Sequence, residues 1–161
     1  MPDLLVKLYD LVDDWSFMGS QANRGVTIRK PIGPEKHDLV EWVLDHFNPA
    51  WSSEIDIAMS NVPRTCFVAV KDRQFVGLSY YDATALGFFG PIGVIPEHRN
   101  QGIGQALLMA CMLDMKLKGY GYAIIGSTGL VDWYARYTGA VPIEGSSTSV
   151  WATWVKSRNR G

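Results

Sequence analysis

The sequence predicts a mixed α/β fold built around one sheet, and three observations point to it. Residues 65–95 hold three apolar, strand-like runs separated by turn residues, which is the pattern of an antiparallel meander. Residues 102–118 carry Ile103, Leu107, Ala110, Leu113 and Leu117 at helical spacing. Beyond them come a strand-like run, "YGYAIIG" (120–126), and a helix-like run, "LVDWYARYT" (130–138). Helices first, then a meander, then β-α-β-α-β-β, is an order in which the helices cover a sheet.

The elements follow in turn. Leu4, Leu5, Leu8, Leu11, Val12 and Trp15 recur at helical spacing, predicting an amphipathic helix over 3–18. "GSQANRG" (19–25) reads as a linker. Residues 1–25 are therefore expected to form a helical extension and 26–161 the main domain, the whole being one compact unit. "VTIRKPI" (26–32) reads as a strand; residues 33–48 start near Pro34 and carry one apolar face, so they read as a helix, with a second short helix over 51–60. "TCFVAV" (65–70) and "FVGLSYYDA" (75–83) make a hairpin around "KDRQ". The next strand, "LGFFGPIGVI" (86–95), is faulty: Pro91 has no N–H to donate, and Gly90 and Gly93 beside it have no side chains to pack. "AVPIEG" (140–145) and "STSVWATWV" (147–155) suggest a closing hairpin.

The totals set limits. With 161 residues, 47% of them apolar, the chain can bury one good core and has too little material for two full domains. A net charge of -1 gives no global field for nucleic acid or an anionic membrane, so neither partner is expected. The sequence lacks a run of about 18 apolar residues and a basic leader, so a cytoplasmic location is expected. Cys66 and Cys111 read as buried thiols, and three histidines without Cys/His pairing spacing imply no metal site.

The chemistry concentrates at "PEHRNQGIGQALL". A helix N-terminus exposes unpaired N–H groups and the positive end of the helix dipole, so it attracts anions. Gly102 and Gly104 would let a phosphate approach that backbone closely, with Arg99 gripping the phosphate or bracing the loop. A tight turn and a closely packed helix start would account for two glycines equally well. A dinucleotide fingerprint wants a third glycine where Leu107 stands, and an NTPase phosphate loop wants Lys-Ser/Thr where Gln105-Ala106 stand.

Arg99-x-x-Gly102-x-Gly104, with Val94-x-Pro96-Glu97 before it and Leu107-Leu108 after it, resembles the coenzyme A signature of the GNAT superfamily of N-acetyltransferases. More weakly, the resemblance spans about residues 26–155. It implies a central, mostly antiparallel, splayed sheet flanked by helices, and acetyl-CoA as co-substrate. By the same resemblance, the pantetheine arm pairs with backbone at Ile92 and Val94 in a gap beside the faulty strand. The backbone through Arg99, Asn100, Gln101, Gly102, Ile103, Gly104 and Gln105 holds the pyrophosphate. An N–H near Ile92 polarises the thioester carbonyl.

"DWYARYTGA" resembles the family's aromatic-Tyr stretch, which makes Tyr134 the general acid that protonates the leaving thiolate, with Tyr137 a rival. A core role for Tyr134 beside Trp133 stays open. Gly139 comes one residue later than usual, and Ser127 stands where the family often has a pantetheine-binding asparagine. The resemblance implies direct acetyl transfer to a primary amine, on a small molecule or a peptide, in a protein that could be a homodimer. A non-catalytic CoA-binding module is the alternative. The base that deprotonates the amine is not assigned; Asp82, Glu54, His98 and Asp132 are the candidates. Trp51, Tyr80, Tyr81, Phe88 and Phe89 either line an acceptor slot or belong to the core.

Overall fold

A computed structural model describes residues 1–156. Among them the strands form one seven-stranded sheet in the order β2-β3-β4-β5-β6-β1-β7. In chain order these are β1 (Leu4–Lys7), β2 (Thr27–Arg29), β3 (Cys66–Lys71), β4 (Gln74–Tyr81), β5 (Phe88–Val94), β6 (Tyr122–Ile125) and β7 (Val141–Pro142). Neighbours are antiparallel except β5 and β6, which run parallel. The helices are α1 (Ser16–Ala22), α2 (Lys36–His46), α3 (Pro49–Ser60), α4 (Ile103–Lys118) and α5 (Val131–Thr138).

Two apolar layers hold the helices to the sheet. One joins α4 to the strands through Ile103, Leu107, Leu108, Cys111 and Met112 against Val6, Phe67, Ala69 and Ile125. The other joins Leu39 and Val43 of α2 and Ile55 and Met59 of α3 to Cys66, Val68, Leu78 and Tyr80. Tyr80 and Tyr81 are fully buried, so these two aromatics are core rather than pocket wall. Both cysteines are buried and free.

Three expectations from the sequence fail. Residues 3–18 are not a helix. Leu4–Lys7 is a strand paired with β6 on one side and β7 on the other, and α1 starts only at Ser16. Leu4, Val6 and Leu8 are buried, while Val12, which belonged to the supposed apolar face, is 77% exposed. A continuous apolar run such as Leu4-Leu5-Val6 fits either period. Pairing with β6 on one side and β7 on the other gives the backbone of this stretch hydrogen-bond partners on both edges. The supposed linker likewise contains the end of α1, and Gln21 in it is buried.

The closing hairpin also fails. Val141–Pro142 pairs with β1, and Ser149–Trp151 is a 3-10 turn. Asp3 holds that segment instead: its N–H donates to Ser146 Oγ (2.9 Å), and its Oδ2 accepts from Ser149 Oγ (2.7 Å).

Candidate active site

The site forms where β5 leaves β6. The two strands are in register at Phe88↔Ile124 and Phe89↔Ile125, and no later pair joins them among the described residues. On the other edge of β5, Ile95 N–H donates to the Val76 carbonyl (3.0 Å), and Gly93 stands opposite Leu78. Bonded pairs alternate along an antiparallel ladder. Gly93 therefore turns its polar groups to β4, while Ile92 and Val94 turn theirs toward the opening. The register shift between Ser79 and Tyr81 sets two residues, Gly90 and Pro91, against Tyr80, and Pro91 has no donor to pair. Gly93 is required on packing grounds: a Cβ there would meet Phe47 Cζ at 2.6 Å.

α4 begins beside this open edge. Gly102 takes a left-handed conformation (φ 79°) and caps the helix, with no side-chain cap and no acidic residue in the first turn. Ala106 N–H donates to the Gly102 carbonyl (3.0 Å), so the N–H groups of Ile103, Gly104 and Gln105 precede the first helical bond. A Cβ on Gly104 would meet only Val94 Cγ2 at 3.9 Å and Ile92 Cγ2 at 4.0 Å. Protein packing therefore does not require glycine there; the free space lies between the helix start and the strand edge.

The loop that leads into α4 is braced from two sides. Arg99 Nε donates to the Val94 carbonyl (3.0 Å), which fixes the loop to β5. The Gln101 carbonyl accepts from Gln21 Nε2 (2.9 Å) and Arg24 Nη1 (2.8 Å). That clamp turns one carbonyl toward α1. The sequence reading missed it, because the clamp spans some eighty residues and no local pattern marks it.

Three cavities surround the site. One of about 780 Å³ is lined by Ile92, Val94, Arg99, Asn100, Gly102, Ile103, Gly104 and Gln105, together with Trp133 and Tyr137. Gln101 lines the adjoining cavity, about 910 Å³, which extends over α1 to Lys7 and Arg24. A third, about 790 Å³, lies across the strand opening; Tyr134, Glu54, Ser127 and Thr84 line it, with Trp51, Phe88, Trp151 and Trp154 as aromatic walls. The first and third share Trp51, Ile92 and Leu130. The two cavities thus meet at Ile92.

The titratable groups differ in their settings. Tyr134 is buried with its ring edge-on to Phe89 (6.4 Å), where the strands part, and burial alone pushes its hydroxyl up to about 12. Tyr137 lines the helix-start cavities instead. Glu54 accepts from Tyr80 Oη (3.1 Å) and Thr84 Oγ1, and burial raises its carboxyl above the ordinary range.

Asp82 is committed elsewhere: it accepts from the Gly87 N–H (2.7 Å) and Tyr120 Oη, lies 3.9 Å from Lys118 Nζ, and lines none of the three cavities. His98 lines the helix-start cavity and Asp132 is exposed on α5. Ser127 lies on the Glu54 side, its N–H donating to Asp3 Oδ1 (2.8 Å). Cys111 is buried against Ser79 Oγ (3.2 Å), and burial raises its thiol pKa, which suits a core residue and not a nucleophile.

A family model described as an acetyltransferase (GNAT) domain matches residues 63–138, the stretch from just before β3 to the end of α5. Over those residues the chain is similar to a GNAT acetyltransferase domain. No curated protein matches it. Among solved structures, the glucosamine N-acetyltransferase region of a fungal multi-domain beta-N-acetylglucosaminidase is similar at 16% identity and a TM-score of 0.70, over 88% of this chain and 19% of that one. A GCN5-related N-acetyltransferase from Sphaerobacter thermophilus is similar at 21% identity and a TM-score of 0.65, over 88% of this chain and 48% of that one. An acetyltransferase of the GNAT family from Xanthomonas campestris pv. campestris is similar at 24% identity and a TM-score of 0.53, over 74% of this chain and 86% of that one. The chain spans about half or less of the first two. The likeness establishes a GNAT fold: a mostly antiparallel sheet, splayed at β5–β6, with helices on both faces.

Proposed function

We propose that the protein is an acetyl-CoA-dependent N-acetyltransferase that moves acetyl directly to a primary amine, with no covalent enzyme intermediate. One observation carries the reading: two cavities meet at Ile92, at the unpaired edge of β5. One opens on a helix start with free amides and unfilled space at Gly104. The other opens on a carboxylate and a buried tyrosine. Acetyl-CoA brings the activated thioester and a thiol leaving group.

The chain's residues divide the remaining work. The amides of Ile103, Gly104 and Gln105, in the loop fixed by Arg99 and the Gln21–Arg24 clamp, receive the diphosphate. Ile92 and Val94 offer backbone groups to the pantetheine amides, and the Ile92 N–H suits a thioester oxygen that gains negative charge. Glu54 takes the surplus proton of the ammonium; a carboxyl raised by burial is a stronger base than an ordinary one. Tyr134 holds its own proton, at about 12, until the sulfur needs it.

Thermal unfolding with acetyl-CoA, followed by thiol release over a set of amines, tests the reading. Acetyl-CoA at 100 times its Kd is expected to add about 2.7 kcal/mol of stability, and at least one amine is expected to release thiol. A thermal shift with no thiol release on any amine would leave only a CoA-binding module. No shift at saturating acetyl-CoA would remove the cofactor site altogether.

A further inference from the structure

We infer that the acceptor is a primary monoamine on an apolar, aryl or alkyl body, held as its ammonium by Glu54; this rests on the transfer reading above. Both oxygens of Glu54 are engaged by neutral donors, Tyr80 Oη at 3.1 Å and Thr84 Oγ1. These donors aim the carboxylate without cancelling its charge. Among the described residues no cation pairs with Glu54, and no nearby positive charge acts on its ionisation. A half-buried carboxylate with no counter-ion is costly unless a cation arrives from outside. It lines the same cavity as Tyr134 and Ile92, where the amine must react.

The rest of that cavity sets the body of the ligand. Trp51, Phe88, Trp151 and Trp154 supply aromatic faces that bury apolar surface and attract an ammonium. Glu54 is the one carboxylate that lines the cavity among the described residues. A polyamine or an aminoglycoside would bring a second ammonium with no partner, and Lys156, exposed on the same lining, would repel it. A free α-amino acid would place its own carboxylate beside the amine that Glu54 holds, and the two negative charges would repel.

The test uses the whole chain with 2-phenylethylamine, spermidine, kanamycin and glutamate. Binding is read by calorimetry on protein saturated with CoA, and transfer by thiol release from acetyl-CoA. 2-Phenylethylamine is expected to bind at least about tenfold more tightly than the other three. Glu54→Gln should weaken that binding roughly 10- to 100-fold, with the acetyl-CoA thermal shift intact as proof of folding. Trp151→Ala should weaken it a few-fold.

Equal or tighter binding of spermidine, kanamycin or glutamate overturns the proposal, and so does Glu54→Gln binding 2-phenylethylamine as the parent does. Tight 2-phenylethylamine binding without thiol release upholds the acceptor class and sinks the transfer reading. Thiol release with spermidine, kanamycin or glutamate and none with 2-phenylethylamine does the reverse.

Discussion

Replacing Gly102 and, in a separate variant, Gly104 by alanine should shift stability in opposite directions. Gly102 sits at φ 79°, where an added Cβ would also meet Gln21 Nε2 at 3.1 Å. A left-handed backbone costs an L-residue roughly 1–2 kcal/mol, and pushing the Gln21 amide aside weakens its bond to the Gln101 carbonyl. Gly104 is inside α4, and a Cβ there makes only ordinary contacts at 3.9 and 4.0 Å. Alanine is favoured over glycine in a helix by up to about 1 kcal/mol. For a chain of this size 1 kcal/mol corresponds to roughly 2–4 °C in Tm, so the two variants should differ by roughly 2–12 °C. The assay is thermal unfolding by circular dichroism without ligand. Equal shifts of the same sign would refute the placement of Gly102 outside the helix and of Gly104 beside unfilled space.

The other expectations are as follows. Gly102→Val adds a branched side chain at the diphosphate loop, so acetyl-CoA affinity by calorimetry should fall; unchanged affinity would count against that loop. Tyr134→Phe should lower kcat about 10- to 1000-fold with little change in KM, and full turnover would remove Tyr134 from the mechanism. With Tyr134 at about 12, the parent should keep its kcat up to about pH 10.

Burial raises the Glu54 pKa in the folded state, so the stability linked to this group is full below the unfolded value of about 4.3 and declines as pH rises through the folded value. The Tm of Glu54→Gln relative to the parent should therefore climb from pH 4 to 7; a difference independent of pH would contradict the burial. Asp3→Ala strands the Ser127 N–H and the Ser149 hydroxyl. It should cost about 1–3 kcal/mol in urea unfolding and raise the acceptor KM more than the acetyl-CoA KM.

Legibility in the sequence followed the range of the interactions. The 65–95 meander and the helices over 36–60 and 103–118 were readable because period and turn chemistry are local. The faulty strand was readable for the same reason: Pro91 carries its missing donor wherever it lies, and the structure places the strand opening there. Which carboxylate lines the cavity was not readable. Asp82 ends a strand and looked available, yet it is spent on Gly87 and Tyr120, whereas Glu54, on the face of a short helix, is the carboxylate that reaches the cavity. The run 147–155 reads as a strand, but Asp3, more than 140 residues away, holds Ser149, and Trp151 and Trp154 line the cavity.

The local letters were enough for the backbone chemistry of the helix start, because free amides, a glycine at positive φ and a proline without a donor are properties of a few adjacent residues. They could not say which strand the N-terminus would become. Leu4-Leu5-Val6 suits a helix or a strand, and the choice fell to β6 and β7, whose paired edges saturate its backbone on both sides. The charge state and reach of Glu54 and Asp82 were likewise fixed by what packed around them, since solvation and partners are set by distant chain brought close in space.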